Sequence, residues 1–189
     1  MCEGVIGAPH CRAVAYYGRV MAFHHVAFAT KDLEATHRFY EDLMGFPLVH
    51  SEFEEYPGDG DGDGDRPRAW MKHVFYDTGD GECMAFFALQ NMGERPDFST
   101  DVSTSVGLPV WVNHVAVRAD NRTRREVRDR MAAAGVTPAM ELDHDWCQSS
   151  YYLDPNGILV ELCEDTPGIE ADPRRARALM RAPVLGDDA

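Results

Sequence analysis

The chain lacks any apolar run near the ~20 residues that a membrane-spanning helix needs, which excludes a helical span and with it a membrane role. It also lacks a usable cysteine framework. Five cysteines occur, Cys2, Cys11, Cys83, Cys147 and Cys163, an odd number with no CxxC spacing. That pattern argues for reduced thiols in a cytoplasmic protein, and against both disulfide staples and a zinc knuckle. Cationic residues are scarce: 18 Lys and Arg stand against 32 Asp and Glu, a net charge of −14. Such a surface repels a phosphate backbone, so nucleic acid is excluded as a partner. Asp59, Asp61, Asp63 and Asp65 share one Gly-rich stretch, so the folded body is less acidic than the total suggests. The first twenty residues carry no unbroken apolar core or small-residue cleavage site of a secretory signal. Met21 precedes the first patterned segment, and residues 1–20 read as an N-terminal extension.

What is present is an internal repeat. His25-Val26-Ala27-Phe28 is followed by Asp32, and His114-Val115-Ala116-Val117 by Asp120. A helix pattern follows each. Residues 33–44 have Asp32 as N-cap, apolar Leu33, Tyr40 and Leu43, and Gly45 as the stop. Residues 122–134 have Asn121 or Thr123 as cap, Val127 and Met131 on one face, and Gly135 as the stop. Three strand-like segments then follow in each half, at 46–50, 70–76 and 83–89, and at 137–141, 149–153 and 158–163. Strand, helix and three strands, written twice, predict an α+β fold of two paired βαβββ modules forming a concave sheet around a metal site.

The expected boundaries are a first module over residues 21–92, a linker over 93–110, a second module over 111–166, and a tail over 167–189. Within the tail, Asp172-Pro173 begins a short helix. The acidic loop at 57–68 resembles a calcium loop only superficially, because Trp70 stands where an EF-hand needs its twelfth-position Glu.

Strand alternation selects the residues able to converge. His25 shares a face with Ala27, and His114 with Ala116, at equivalent places of the repeat and on the side away from the helices. His24 faces the helix side on the same alternation. Glu161 is the lone carboxylate in the apolar strand Ile158-Leu159-Val160-Glu161-Leu162. Buried there, it needs a cation or a strong hydrogen-bond partner. A single strand histidine is commonly a core or surface residue; two at matching positions with a lone Glu are far rarer. Two His and one carboxylate leave open coordination positions, which suits Fe(II), or Mn(II), better than structural zinc.

These segments resemble the vicinal oxygen chelate superfamily of glyoxalases, bleomycin- and fosfomycin-resistance proteins, methylmalonyl-CoA epimerases and extradiol dioxygenases. The resemblance covers residues 22–165, through His25-Val-Ala-Phe, Arg38-Phe-Tyr-Glu-Asp-Leu-Met-Gly-Phe46, Asn113-His-Val-Ala-Val117 and Leu153-Asp-Pro-Asn-Gly-Ile-Leu-Val-Glu-Leu162. It implies that His25, His114 and Glu161 are metal ligands. Glyoxalase I usually takes a further Glu from the last strand of the first module, where this chain has Cys83-Met84-Ala85-Phe86-Phe87. His144, Tyr151, Asp154-Pro155, Gly157 and Glu161 match the spacing of an extradiol dioxygenase segment, with departures at Leu142 and Ser150. The resemblance therefore implies an Fe(II) dioxygenase that takes a small catechol and O2, with His144 and Tyr151 as catalytic hydrogen-bond donors. A simple hairpin around residues 154–157 would instead put Tyr152 on the face of Glu161. Many ring cleavers keep an acid–base histidine at the end of the first module's last strand; this chain has none there, and His73, one strand earlier, is the substitute. The alternatives are a metal-assisted isomerase, lyase or thiol transferase, or a non-enzymatic small-molecule-binding protein. Modules of this kind pair within one chain or between two, so a homodimer is one way to complete the site.

Overall fold

The computed structural model describes residues 22–57, 67–79 and 81–183. The N-terminal extension and most of the acidic loop lie outside the described residues. In the first module, β1 (His25–Thr30) leads into α1 (Leu33–His37), which continues as a π-helical segment, Arg38–Met44. The Asp32 side chain accepts from the Ala35 N–H and caps the start. Gly45, at φ 81°, ends it, as its sequence position predicts. Strands β2 (Leu48–Tyr56), β3 (Ala69–Asp77) and β4 (Cys83–Gln90) follow. The second module repeats the order as β5 (His114–Arg118), α2 (Asn121–Ala133), β6 (Met140–Asp143), β7 (Cys147–Leu153) and β8 (Leu159–Asp165). The cap of α2 is Asp120, whose carboxylate accepts from Thr123 N–H at 2.8 Å, and not Asn121 or Thr123. Between the modules, Thr104–Val106 form a single 3-10 turn.

Each module builds its own four-stranded sheet, in the order β1-β4-β3-β2 and β5-β8-β7-β6. In both, the first strand runs parallel to the fourth and the remaining pairs are antiparallel. Both first strands therefore end their sheets. β2 extends to Tyr56, well beyond the expected stop at residue 50, because all nine of its residues are exposed and it leaves no apolar period to read.

Alternation sends one face of each sheet inward. Met84 and Phe86 of β4, Val74 and Tyr76 of β3, Tyr152 of β7, and Val160 and Leu162 of β8 join Tyr40, Met44, Val127 and Met131 in one core. The two modules thus share a core through their helix sides. Two polar latches fix the arrangement. Arg130 on α2 donates from Nε and Nη2 to the carbonyls of Leu43 and Met44, at 2.8 and 2.9 Å, and so satisfies orphan carbonyls at the end of the first helix. A Cβ at Gly45 would come within 2.8 Å of that guanidinium.

The second latch is the β7–β8 turn. The Tyr40 hydroxyl donates to Asp154 at 2.9 Å, and Asn156 Nδ2 donates to Thr36 Oγ1 at 3.1 Å. Asp154 also accepts from the backbone N–H groups of Asn156 and Ile158, at 2.8 and 2.7 Å. Burial raises the Asp154 pKa, partly offset by those N–H donors.

Phe23–Thr166 form one compact unit, whereas the tail belongs to another. In the tail, α3 (Pro173–Met180) is capped by Asp172, which accepts from Arg174 and Arg175 N–H at 3.0 Å each. No helix among the described residues is long and apolar enough to cross a membrane.

Candidate metal centre

The second module assembles most of a site by itself. The Nε2 of His114 stands 3.1 Å from Glu161 Oε2. The Nδ1 of His114 lies 2.8 Å from the Trp111 carbonyl, an acceptor only, so Nδ1 is the donor there and Nε2 is left facing the Glu161 carboxylate. Glu161 is 5% exposed, so its charge has little water to rely on. Ser149 and Tyr151 both donate to its Oε1, Tyr151 at 2.9 Å. Since the Tyr151 proton goes to Glu161, the His144 Nε2, 2.9 Å from the same hydroxyl, is the donor to it. The result is a chain of polar groups from His144 through Tyr151 to Glu161.

Tyr151 reaches Glu161 because the two are directly opposed across β7 and β8. A four-residue turn over 154–157 would have paired Leu153 with Ile158 and put Tyr152 on the Glu161 face instead. Leu153 pairs with Leu159, which makes the connection five residues, with Asp154 holding the N–H of Ile158 and Gly157 at φ 82°. Tyr152 turns into the core. Burial, and then the bond to Glu161, raise the Tyr151 pKa to about 12, so the phenol stays protonated at neutral pH.

His25 lies on the other sheet. Its Nδ1 is 2.8 Å from the His24 Nδ1, which leaves Nε2 free. His24 is exposed and bonded to its neighbour. The ring of His25 stands 5.3 Å from that of Phe75 and 6.0 Å from that of His73. His73 is stacked on Phe87 at 3.6 Å, directly across from it in the sheet, so it occupies the neighbourhood where the sequence offered a substitute histidine. Burial lowers the His73 pKa against the opposing pull of Glu52, and its Nε2 is buried without a hydrogen-bond partner.

The chain thus brings His114, Glu161, Tyr151 and His144 together. It does not gather His25 with them, since the ligand atoms of His25, His114 and Glu161 do not all lie within 4.8 Å of one another. An open cavity of about 200 Å³ adjoins His114, lined by Phe28, Val102, Val112, Asn113, Val115 and Ile158 as well.

The family profile described as Glyoxalase/Bleomycin resistance protein/Dioxygenase superfamily matches residues 22–162. The chain belongs to that superfamily. Solved structures agree on the fold. A glyoxalase/dioxygenase from Nostoc punctiforme has a TM-score of 0.54 at 17% identity, over 82% of this chain and 98% of that one. A glyoxylase/bleomycin resistance protein/dioxygenase domain from Frankia sp. EAN1pec also scores 0.54, at 14% identity over 80% and 96%. The fosfomycin resistance protein FosX from Listeria monocytogenes scores 0.50, at 18% identity over 79% and 97%. No curated protein matches the chain. At these identities the superfamily's fold carries over, and specific chemistry does not.

Sequence reasoning missed Ser149, although it shares the Tyr151 face of β7 by simple alternation. Trp111, whose carbonyl accepts from His114 Nδ1, gave no sequence signal because the contact is made by backbone.

Proposed function

We propose that this superfamily member is an Fe(II)-dependent extradiol ring-cleaving dioxygenase acting on a small catechol with O2, Mn(II) being the other ion the donor set suits. Its site would take His114 and Glu161 from one copy and His25 from a second. The observation that carries the reading is the hydrogen-bonded chain His144–Tyr151–Glu161, which sets a proton donor directly beside a ligand carboxylate. The shared site is supported by strand order: β1 and β5 each end a sheet with one edge unpaired among the described residues, and His25 and His114 are exposed on them. Open edges of this kind are satisfied by another chain, most simply in a two-fold pair.

Bound Fe(II) would supply a Lewis acid that acidifies two adjacent hydroxyls and a position for O2. The chain's own residues do the rest. Ser149 and Tyr151 hold Glu161 in place, and the Trp111 carbonyl keeps His114 Nε2 available. Bound substrate would draw the Tyr151 proton away from Glu161 to its own oxygen, and His144 would replace it along the 2.9 Å contact. His73, held neutral by burial, accepts a proton on the first-module side.

A second reading, metal-assisted isomerisation, lyase chemistry or thiol transfer, is favoured by β4: Cys83, Ala85 and Phe87 share the face of His25 and include no histidine. A non-enzymatic binding role is disfavoured by the presence in the sequence of all three proposed ligands, His25, His114 and Glu161. Anaerobic purification with metal analysis, then oxygen uptake against a panel of catechols, decides. Uptake with stoichiometric Fe(II) is expected. Metal-dependent isomerisation or thiol addition without uptake would move the assignment to the second reading.

A further inference from the structure

Beside the carboxylate assigned above lie two thiols that the reaction does not use. The ligand atoms of Cys147, Cys163 and Glu161 all lie within 4.8 Å of one another, the only such three-residue group among the described residues. Neither cysteine is in a disulfide. Cys163 follows Glu161 by two residues on the same face of β8. Cys147 on β7 is fully buried, its Sγ 3.6 Å from Ser149 Oγ. His114 pairs with Leu159, two residues to the other side of Glu161. Along the strand, then, the imidazole and the two thiols flank one carboxylate from opposite ends.

We infer that Cys147, Cys163 and Glu161 form a second metal site, for a thiophilic divalent ion such as Zn2+. Two sulfur donors and one carboxylate suit that class, whereas Fe(II) and Mn(II) favour the nitrogen and oxygen donors at the other end. Around a tetrahedral ion with Zn–S bonds of ~2.3 Å, ligand atoms stand roughly 3.8 Å apart, so the group closes by at most about 1 Å. Each thiol gives its proton to buffer as its sulfur takes the ion, and the fourth position is left to water. Cys163 is partly exposed and provides the entrance. Because Glu161 is common to both sites, Zn2+ here draws the carboxylate from His114 and lowers Fe(II) occupancy. That coupling rests on the ligand role proposed for Glu161; the site itself does not.

The test titrates reduced, metal-free full-length protein with Co2+ alone and reads the thiolate-to-cobalt charge-transfer band in the near ultraviolet, followed by displacement with Zn2+. The parent, His114→Ala and Cys83→Ser should each develop the band with one equivalent, and Cys163→Ser and Cys147→Ser should lose it. Circular dichroism checks the fold, and if Cys147→Ser does not fold, the partly exposed Cys163→Ser decides alone. Absence of the band in folded parent, or its retention in folded Cys163→Ser, overturns the site. One equivalent of Zn2+ should also reduce Fe(II) bound by the parent several-fold and leave that bound by Cys163→Ser unchanged. If the parent forms the cobalt band but binds no Fe(II), the dioxygenase reading fails and the thiol site stands.

Discussion

The two modules share an element order but put different chemistry on the same face. In the second, the end-strand histidine meets a buried carboxylate that two hydroxyls hold, with a third donor behind one of them. In the first, the matching histidine meets aromatic rings and a neutral, buried His73. The position on β4 that pairs with Ala27 is Ala85, where the second module pairs Ala116 with Glu161. At this paired position only the second repeat carries a carboxylate; on the proposed reading the anionic half binds the divalent ion and the imidazole of the other half completes its ligands.

Removing the charged half should have the largest effect. Glu161→Ala and His114→Ala are each expected to abolish stoichiometric Fe(II) or Mn(II) binding at neutral pH, as is His25→Ala, read by metal analysis after dialysis. Full metal content in any two of the three would break the comparison. Next come the donors behind the ligand. Tyr151→Phe and His144→Ala should keep the metal and slow turnover ~10²–10³-fold, with less than additive losses in the double variant because both act along one chain. Loss of metal from His144→Ala would recast it as a ligand.

Stability separates the halves in another way. Asp154→Ala strands the Tyr40 hydroxyl and two backbone N–H groups where the modules meet, and should cost ~3 kcal/mol in urea unfolding. A loss under 1 kcal/mol would mean the turn is not a latch. The smallest effect is expected at His73. Its folded pKa is depressed, so the unfolded chain binds more protons in the window below the ordinary histidine value. Its contribution is present above that value and lost as pH falls through the folded pKa. His73→Phe should flatten this acid limb in metal-free protein while leaving neutral stability nearly unchanged. An acid limb identical to the parent's would show that the ring is not held neutral by the fold.

Much of this was legible in the sequence, for identifiable reasons. Caps and stops are local, so Asp32, Gly45 and Gly135 could be read directly, although Asp120 displaced its neighbours as the second cap. The His-Val-Ala repeat and the lone Glu161 stood out because they break apolar alternation. The extent of β2 could not be read, since a wholly exposed strand has no inward face. Alternation alone misplaced Tyr151, because one extra residue in the turn shifts every side chain to the other face; the resemblance at 153–162 carried the correct register. Least legible was the joining of the modules. It depends on Tyr40 finding Asp154 and Arg130 finding the Leu43 carbonyl, contacts more than eighty residues apart in sequence.

The central claim, one ion held between two copies, is tested most directly by mixing variants. His25→Ala and Glu161→Ala, each purified metal-free, are unfolded and refolded together and assayed for bound Fe(II). A mixed pair has one intact site, made from His25 of the Glu161→Ala copy with His114 and Glu161 of the His25→Ala copy. The account predicts that the mixture binds Fe(II) while neither variant alone does. If the mixture binds no more than its components, although the chains are shown to have paired, the ion is not shared between copies.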